Sequence, residues 1–158
     1  MPTKKPRRNL VKEAQIGEGA FGVVWLVRCK DGCRLVQKEI QLEMQTDSEK
    51  RSTINEAKAL RSLSHPRIIA YVDAYFAGNT LNLIMELADG GDLSAVIAHT
   101  RRRADRLPEE TVLSYIGQLI DALAYCHHQV RAPQHRCAAS QCCNVCHARV
   151  LRGYYIGT

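Results

Sequence analysis

Three glycines within six residues constrain this chain more than any other feature. The stretch Ile16–Val24 reads I-G-E-G-A-F-G-V-V, so Gly17, Gly19 and Gly22 fit the spacing G-x-G-x-x-G-x-V. Backbone without side chains lets N–H groups approach phosphate oxygens closely, and it tolerates a tight turn between two strands. Dinucleotide folds place the same glycines before a helix, so the following residues decide between the two readings. Here they are V-V-W-L-V, apolar and mostly β-branched, which predicts a second strand and a β-hairpin lid.

The rest of the chain alternates strands with helices. Leu10 onward reads as the strand entering the glycine loop, and Lys30-Asp31-Gly32 as a hairpin turn. Arg34–Ile40 reads as a third strand in which Val36, Lys38 and Ile40 share a face. A lysine on a buried face needs a partner, whereas Lys38 taken alone also fits a snorkelling surface lysine. From Asp47 to Leu63, Ile54, Ala57, Leu60 and Leu63 recur at helical spacing, with Glu56 beside that stripe. Glu43 and Glu49 satisfy spacing as partners of Lys38 as well as Glu56 does.

His65-Pro66 stops that helix, and the chain runs on through Phe76 as a strand. Gly78-Asn79 is a turn, and Leu81–Leu87 a further strand. After Ala88-Asp89-Gly90-Gly91, Asp92 starts a short helix that ends in the cationic run Arg101–Arg103, favourable at a helix C-terminus. Pro108, Glu109 and Glu110 open the strongest helix. Its stripe is Val112, Leu113, Ile116, Leu119, Ile120, Leu123 and Ala124, reaching about His128.

Composition separates the last residues from the others. After His128 there is no Asp or Glu, only Arg131, Arg136, Arg149 and Arg152, together with Cys137, Cys142, Cys143 and Cys146 out of seven cysteines. An odd cysteine count without an export signal argues for reduced thiols. The basic start, Met1–Arg8, reads as a disordered arm, and no apolar run follows it. No run of membrane-spanning length occurs, so neither secretion nor a membrane is expected. The net charge of +6 comes with no basic stripe interleaved with aromatics, so nucleic acid is not expected either. A length of 158 residues suits one domain or part of a larger one.

Taken in order, these segments resemble a eukaryotic-type protein kinase from about Leu10 to His128. The blocks S-H-P-R-I-I, M-E-L-A-D-G-G-D-L and Q-L-I-D-A-L-A-Y-C-H are most similar to NIMA-related (NEK-type) serine/threonine kinases. The resemblance implies an α+β fold: a kinase-like small lobe, with an antiparallel five-stranded sheet plus one helix, followed by the first helices of a truncated large lobe. It divides the chain into a basic arm (1–9), small lobe and hinge (10–93), the start of the large lobe (94–128) and an atypical Cys/Arg-rich tail (129–158). It also implies an ATP site. Ile16 and Val24 would sandwich the adenine, with Val36 beside it, and Gly17, Glu18, Gly19, Ala20, Phe21 and Gly22 would cover the phosphates. Lys38 would hold the α and β phosphates, with Glu56 its partner on a mobile helix. Met85 looks like the gatekeeper, Glu86, Leu87 and Ala88 the hinge, and Asp92 the residue meeting the ribose. Protein substrates or regulatory proteins would be the partners, and the location cytoplasmic, with a cytoskeletal association by family.

Two departures qualify that likeness. Val36 stands where the family usually has alanine, which narrows the adenine pocket. After His128 the family continues into H-R-D-L-K-x-x-N and D-F-G, which supply the catalytic base and the magnesium ligands. Here His135-Arg136 is followed by Cys137 in place of the aspartate, Ala139 in place of the lysine and Cys142 in place of the asparagine. The catalytic-loop Asp is therefore absent, magnesium lacks its protein ligands, and the chain as written is expected to have little or no kinase activity. The abrupt change of composition favours a tail that is not the native continuation, through a frame slip, a retained intron or an alternative exon. The second reading is a degenerate kinase-like binding module. The third is a metal site: Cys143-x-x-Cys146-His147 with Cys137 or Cys142 has enough soft ligands for zinc, and C-x-x-C-H also matches haem attachment. With one C-x-x-C and no second knuckle, no metal site is assigned to the tail.

Overall fold

The computed structural model describes residues 9–19, 22–43, 45–90 and 93–130. The basic arm, Ala20, Phe21, Asp92 and the tail cysteines lie outside the described residues. Five strands form one antiparallel sheet: β1 (Leu10–Gly19), β2 (Gly22–Cys29), β3 (Arg34–Gln41), β4 (Tyr71–Ala77) and β5 (Thr80–Glu86). Their spatial order is β1-β2-β3-β5-β4. Three helices complete the described elements: α1 (Asp47–Ser62), α2 (Leu93–Arg102) and α3 (Glu109–Val130). The chain divides into two compact units, the first holding residues up to Leu63 plus Ala70–Leu87, the second Ser64–Ile69 plus residues from Ala88 onward. The fold expected from the sequence, a kinase-like five-stranded antiparallel sheet with its helix and the opening helices of the next lobe, is the one observed.

The first unit is built on pleat alternation. Val36, Lys38 and Ile40 share one face of β3, opposite Leu26, Val24 and Gly22 of β2 and Met85, Leu83 and Leu81 of β5. The other face carries a core of Val27, Cys29, Leu35 and Ile84. β1 departs from regular pairing at Lys12/Ala14 and at Gln15/Gly17, irregularities that leave Glu13 and Ile16 out of register. The β2–β3 hairpin closes through Lys30-Asp31-Gly32. The Gly32 N–H donates to the Cys29 carbonyl at 3.0 Å, and the Cys29 N–H donates to the Cys33 carbonyl at 2.8 Å. With Gly32 at φ +83°, this is a three-residue loop with a left-handed third position, which glycine fills without strain.

The helix α1 starts at a capping box. The Thr46 side chain accepts from the Glu49 N–H, and the Glu49 carboxylate accepts from the Thr46 N–H. It buries Ala57 and Leu60 and packs against β4. In the second unit, Ser64–Ile69 is held to α3. Ser64 N–H donates to the Tyr125 hydroxyl at 3.0 Å, Arg67 donates to Gln118 at 2.9 Å, and His65 stacks on Tyr125 with ring centroids 4.9 Å apart. The buried residues of α3 are Tyr115, Ala122 and Cys126, while Leu113, Ile116 and Ile120 of its apolar stripe stand in solvent. None of the described helices is long and apolar enough to cross a membrane.

Candidate functional site

Strand register brings several of the sequence-identified residues onto one face. Lys38 lies directly opposite Val24 on β2 and Leu83 on β5, and Val36 lies opposite Met85. Val36 is buried, while Val24, Lys38 and Met85 are half-buried. An ammonium therefore rises from an apolar patch whose floor is valine and methionine. Such a patch suits the flat apolar body of a base, with a cation beside it for an anionic end.

The three glycines of the loop do different work. Gly17 pairs with Val24, Glu18 with Val23 and Gly19 with Gly22, so the motif forms the end of the β1–β2 hairpin. A Cβ on Gly22 would lie 1.7 Å from the Glu39 carbonyl oxygen, at φ +144°, so the sheet itself demands glycine there. A Cβ on Gly19 would meet nothing within 4 Å, and on Gly17 it would make only an ordinary 3.6 Å contact with Val24. Folding thus leaves those two positions open for close approach from outside. Ile16, in the irregular stretch beside Gly17, is 49% exposed.

Beyond the glycine hairpin, Glu86 ends the β3–β5 ladder opposite Leu35. Its N–H donates to the Ala70 carbonyl at 2.9 Å, and its carboxylate accepts from the Ala70 N–H at 3.2 Å. Leu87 and Ala88 follow it, both half-buried.

The expected meeting of Lys38 with Glu56 is not formed. Among the described residues no ion pair within 4.0 Å joins them; those present include Lys12–Glu39, Arg34–Glu13, Lys50–Asp47 and His65–Asp121. The helix carrying Glu56 packs on β4, which is separated from β3 by β5. Glu56 is half-buried next to the anchoring Ala57.

Two groupings escaped sequence reasoning. On the face opposite Lys38, Gln37 donates to Asn82 at 2.9 Å and to Glu39 at 2.9 Å, while Glu39 accepts from the Trp25 indole at 2.9 Å. Lys12 completes this network, 2.8 Å from Glu39 and 4.4 Å over the Trp25 ring. The second grouping is Cys29, Asp31 and Cys33 at the β2–β3 turn, whose ligand atoms all lie within 4.8 Å of one another. Its hydrogen bond with Cys29, and next its hydrogen bond with Asp31, push the Cys33 thiol up to about 11. Spacing pointed to neither group, because alternation says which face a polar residue takes and not which partner it finds there.

Comparison with known proteins shows the family. The family described as protein kinase domain matches residues 10–136. The chain is 35% identical over 129 residues to serine/threonine-protein kinase nekl-2 of Caenorhabditis elegans, covering 77% of this chain and 36% of that protein. It is 38% identical over 117 residues to human serine/threonine-protein kinase Nek2, covering 72% of this chain and 26% of that protein. G2-specific protein kinase fin1 of Schizosaccharomyces pombe is 38% identical over 121 residues, covering 75% and 17%. The chain spans about a third or less of the length of these relatives. It belongs to the protein kinase family, among the NIMA-related serine/threonine kinases, and carries the N-terminal part of their catalytic domain.

Proposed function

We propose that the sheet unit is the ATP-binding portion of a serine/threonine protein kinase. The observation that carries this is the pairing of an open glycine hairpin with a half-buried lysine. Gly19 has no steric need for glycine within the chain, and Val24, on the same hairpin, stands opposite Lys38. Gly17 and Gly19 leave backbone free of side-chain cover for phosphate, Gly22 closes the hairpin against Glu39, Lys38 supplies the cation, and Val24, Val36 and Met85 supply an apolar surface for adenine. Asp92 and the hinge positions Glu86, Leu87 and Ala88 are assigned to the same nucleotide on the strength of the family likeness. Glu56, which makes no ion pair with Lys38 among the described residues, is assigned by that likeness as its partner on a mobile helix. Substrate and regulatory proteins, and a cytoplasmic setting, rest on that likeness too.

The residues present do not fit magnesium. The family holds it with an asparagine of the catalytic loop and the aspartate of D-F-G. At the compared position this sequence has Cys142, and residues 129–158 contain no Asp or Glu. Binding without turnover is the consequence: Lys38 and the glycine hairpin hold phosphates, while Cys137 stands where a carboxylate would orient the substrate hydroxyl.

Isothermal titration of ATP into the full chain and into a Lys38→Met variant tests the binding. We expect the variant to weaken ATP by more than about tenfold, a lost charge-assisted contact. Equal affinity in both would refute the assignment. A second reading, a pseudokinase-like nucleotide- or protein-binding module, is favoured by Cys137 alone. Transfer of labelled phosphate from ATP to a generic protein substrate tests the inactivity that both readings expect: robust metal-dependent transfer by the chain as written would overturn it.

A further inference from the structure

The β2–β3 hairpin brings two thiols and a carboxylate together within five residues, Cys29-Lys30-Asp31-Gly32-Cys33. Cys29 and Cys33 continue the register that pairs Arg28 with Arg34, and the Cys29 N–H to Cys33 carbonyl bond of 2.8 Å locks them side by side. Asp31 sits at the turn, and its carboxylate and the two sulfurs lie within 4.8 Å of one another. Left-handed Gly32, at φ +83°, folds the loop back so that Asp31 can reach the sulfurs.

The geometry points to a thiophilic metal site at this turn: one zinc ion held by Cys29 Sγ, Cys33 Sγ and an Asp31 carboxylate oxygen, with a fourth position open to water. Tetrahedral zinc at about 2.3 Å from each sulfur places the two sulfurs roughly 3.8 Å apart. From separations within 4.8 Å the two sulfurs need contract by about 1 Å or less to meet that, and a sulfur and the carboxylate oxygen by about 1.3 Å or less. Two sulfurs favour a soft or borderline ion over calcium or magnesium, whose sites are built of oxygen. Cys29 is 5% exposed and Cys33 half-buried, so one ligand is fixed in the sheet core while the turn remains open for metal entry. The site lies on the core face of the sheet, away from Lys38, and is independent of nucleotide binding. A local ion would also tie the hairpin loop to β2 and β3, because metal held by the folded turn and not by the unfolded chain adds its binding free energy to stability.

The test uses the full chain with Cys137, Cys142, Cys143 and Cys146 changed to serine, so that the tail cannot contribute thiols. In buffer with a phosphine reductant, we expect one equivalent of zinc to survive gel filtration, and cobalt to give intense thiolate charge-transfer absorption. Cys33→Ser should abolish both at unchanged far-UV circular dichroism, and exposed Asp31→Asn should weaken zinc by more than about tenfold while keeping the thiolate bands. Cys29 is left intact because its burial makes its loss a folding variant. Zinc well below one equivalent, zinc undiminished by Cys33→Ser, or a Cys29–Cys33 disulfide in place of metal would each overturn the proposal.

Discussion

The position a Cβ of residue 22 would occupy lies 1.7 Å from the carbonyl oxygen of Glu39, so Gly22 and Glu39 are in backbone contact across β2 and β3. Gly22→Ala has to move one strand off the other and hold a non-glycine residue at φ +144°. We expect a loss of about 2–4 kcal/mol in urea unfolding. Gly19→Ala, with nothing within 4 Å, should change stability by less than about 1 kcal/mol while still weakening ATP. If both substitutions destabilise equally, the division of labour between the glycines is wrong.

The capping box of α1 ties stability to pH. Glu49 accepts from the Thr46 N–H at 2.7 Å and from its hydroxyl at 2.8 Å, which together hold its carboxyl below the ordinary value of 4.5. A lowered folded value means the contribution is fully present above pH 4.5 and is lost as the pH falls through the lower value. Thr46→Ala should cost about 1 kcal/mol near neutrality. Thermal melts at stepped pH should show the gap between wild type and variant narrowing below pH 4.5. The Thr46→Ala variant keeps the backbone N–H bond to Glu49, so a gap that stays constant into acid would argue against the part of the Thr46 hydroxyl bond to the carboxylate.

Gln37 and Asn82 are the polar pair of the sheet core, at 4% and 2% exposure. Both protons of the Gln37 amide are used, one by Asn82 and one by Glu39. Asn82→Ala leaves one of them buried without its acceptor, for an expected cost of about 1–3 kcal/mol. A urea midpoint within experimental error of wild type would show that the network contributes nothing net.

Leu113, Ile116 and Ile120 are 58%, 47% and 60% exposed on α3, a contiguous apolar stripe of the kind that drives association. The double variant Ile116→Glu, Ile120→Lys replaces two of them with an oppositely charged pair one turn apart. Sedimentation velocity should show less self-association, with unfolding free energy changed by about 0.5 kcal/mol or less. Unaltered self-association would place the sticky surface elsewhere on the chain.

Much of this protein was legible in the order of its residues. Alternation placed Val36, Lys38 and Ile40 on one face, Asp-Gly marked the β2–β3 hairpin, and Pro108-Glu109-Glu110 marked the start of α3, because these signals act within a few residues. Val112 through Leu123 read as an apolar stripe, and its Leu113, Ile116 and Ile120 stand exposed. Tertiary structure alone decided the partners. Glu43, Glu49 and Glu56 all suit Lys38 by spacing, yet no ion pair joins Lys38 to Glu56 among the described residues, because the docking of a helix on a sheet is a long-range property that local periodicity does not carry. Gly22 looked equivalent to Gly17 and Gly19 until Glu39 was found against it. Cys29, Asp31 and Cys33 became a cluster only once a left-handed Gly32 turned the chain back on itself, for proximity in space is set by the turn and not by the count of residues between the thiols.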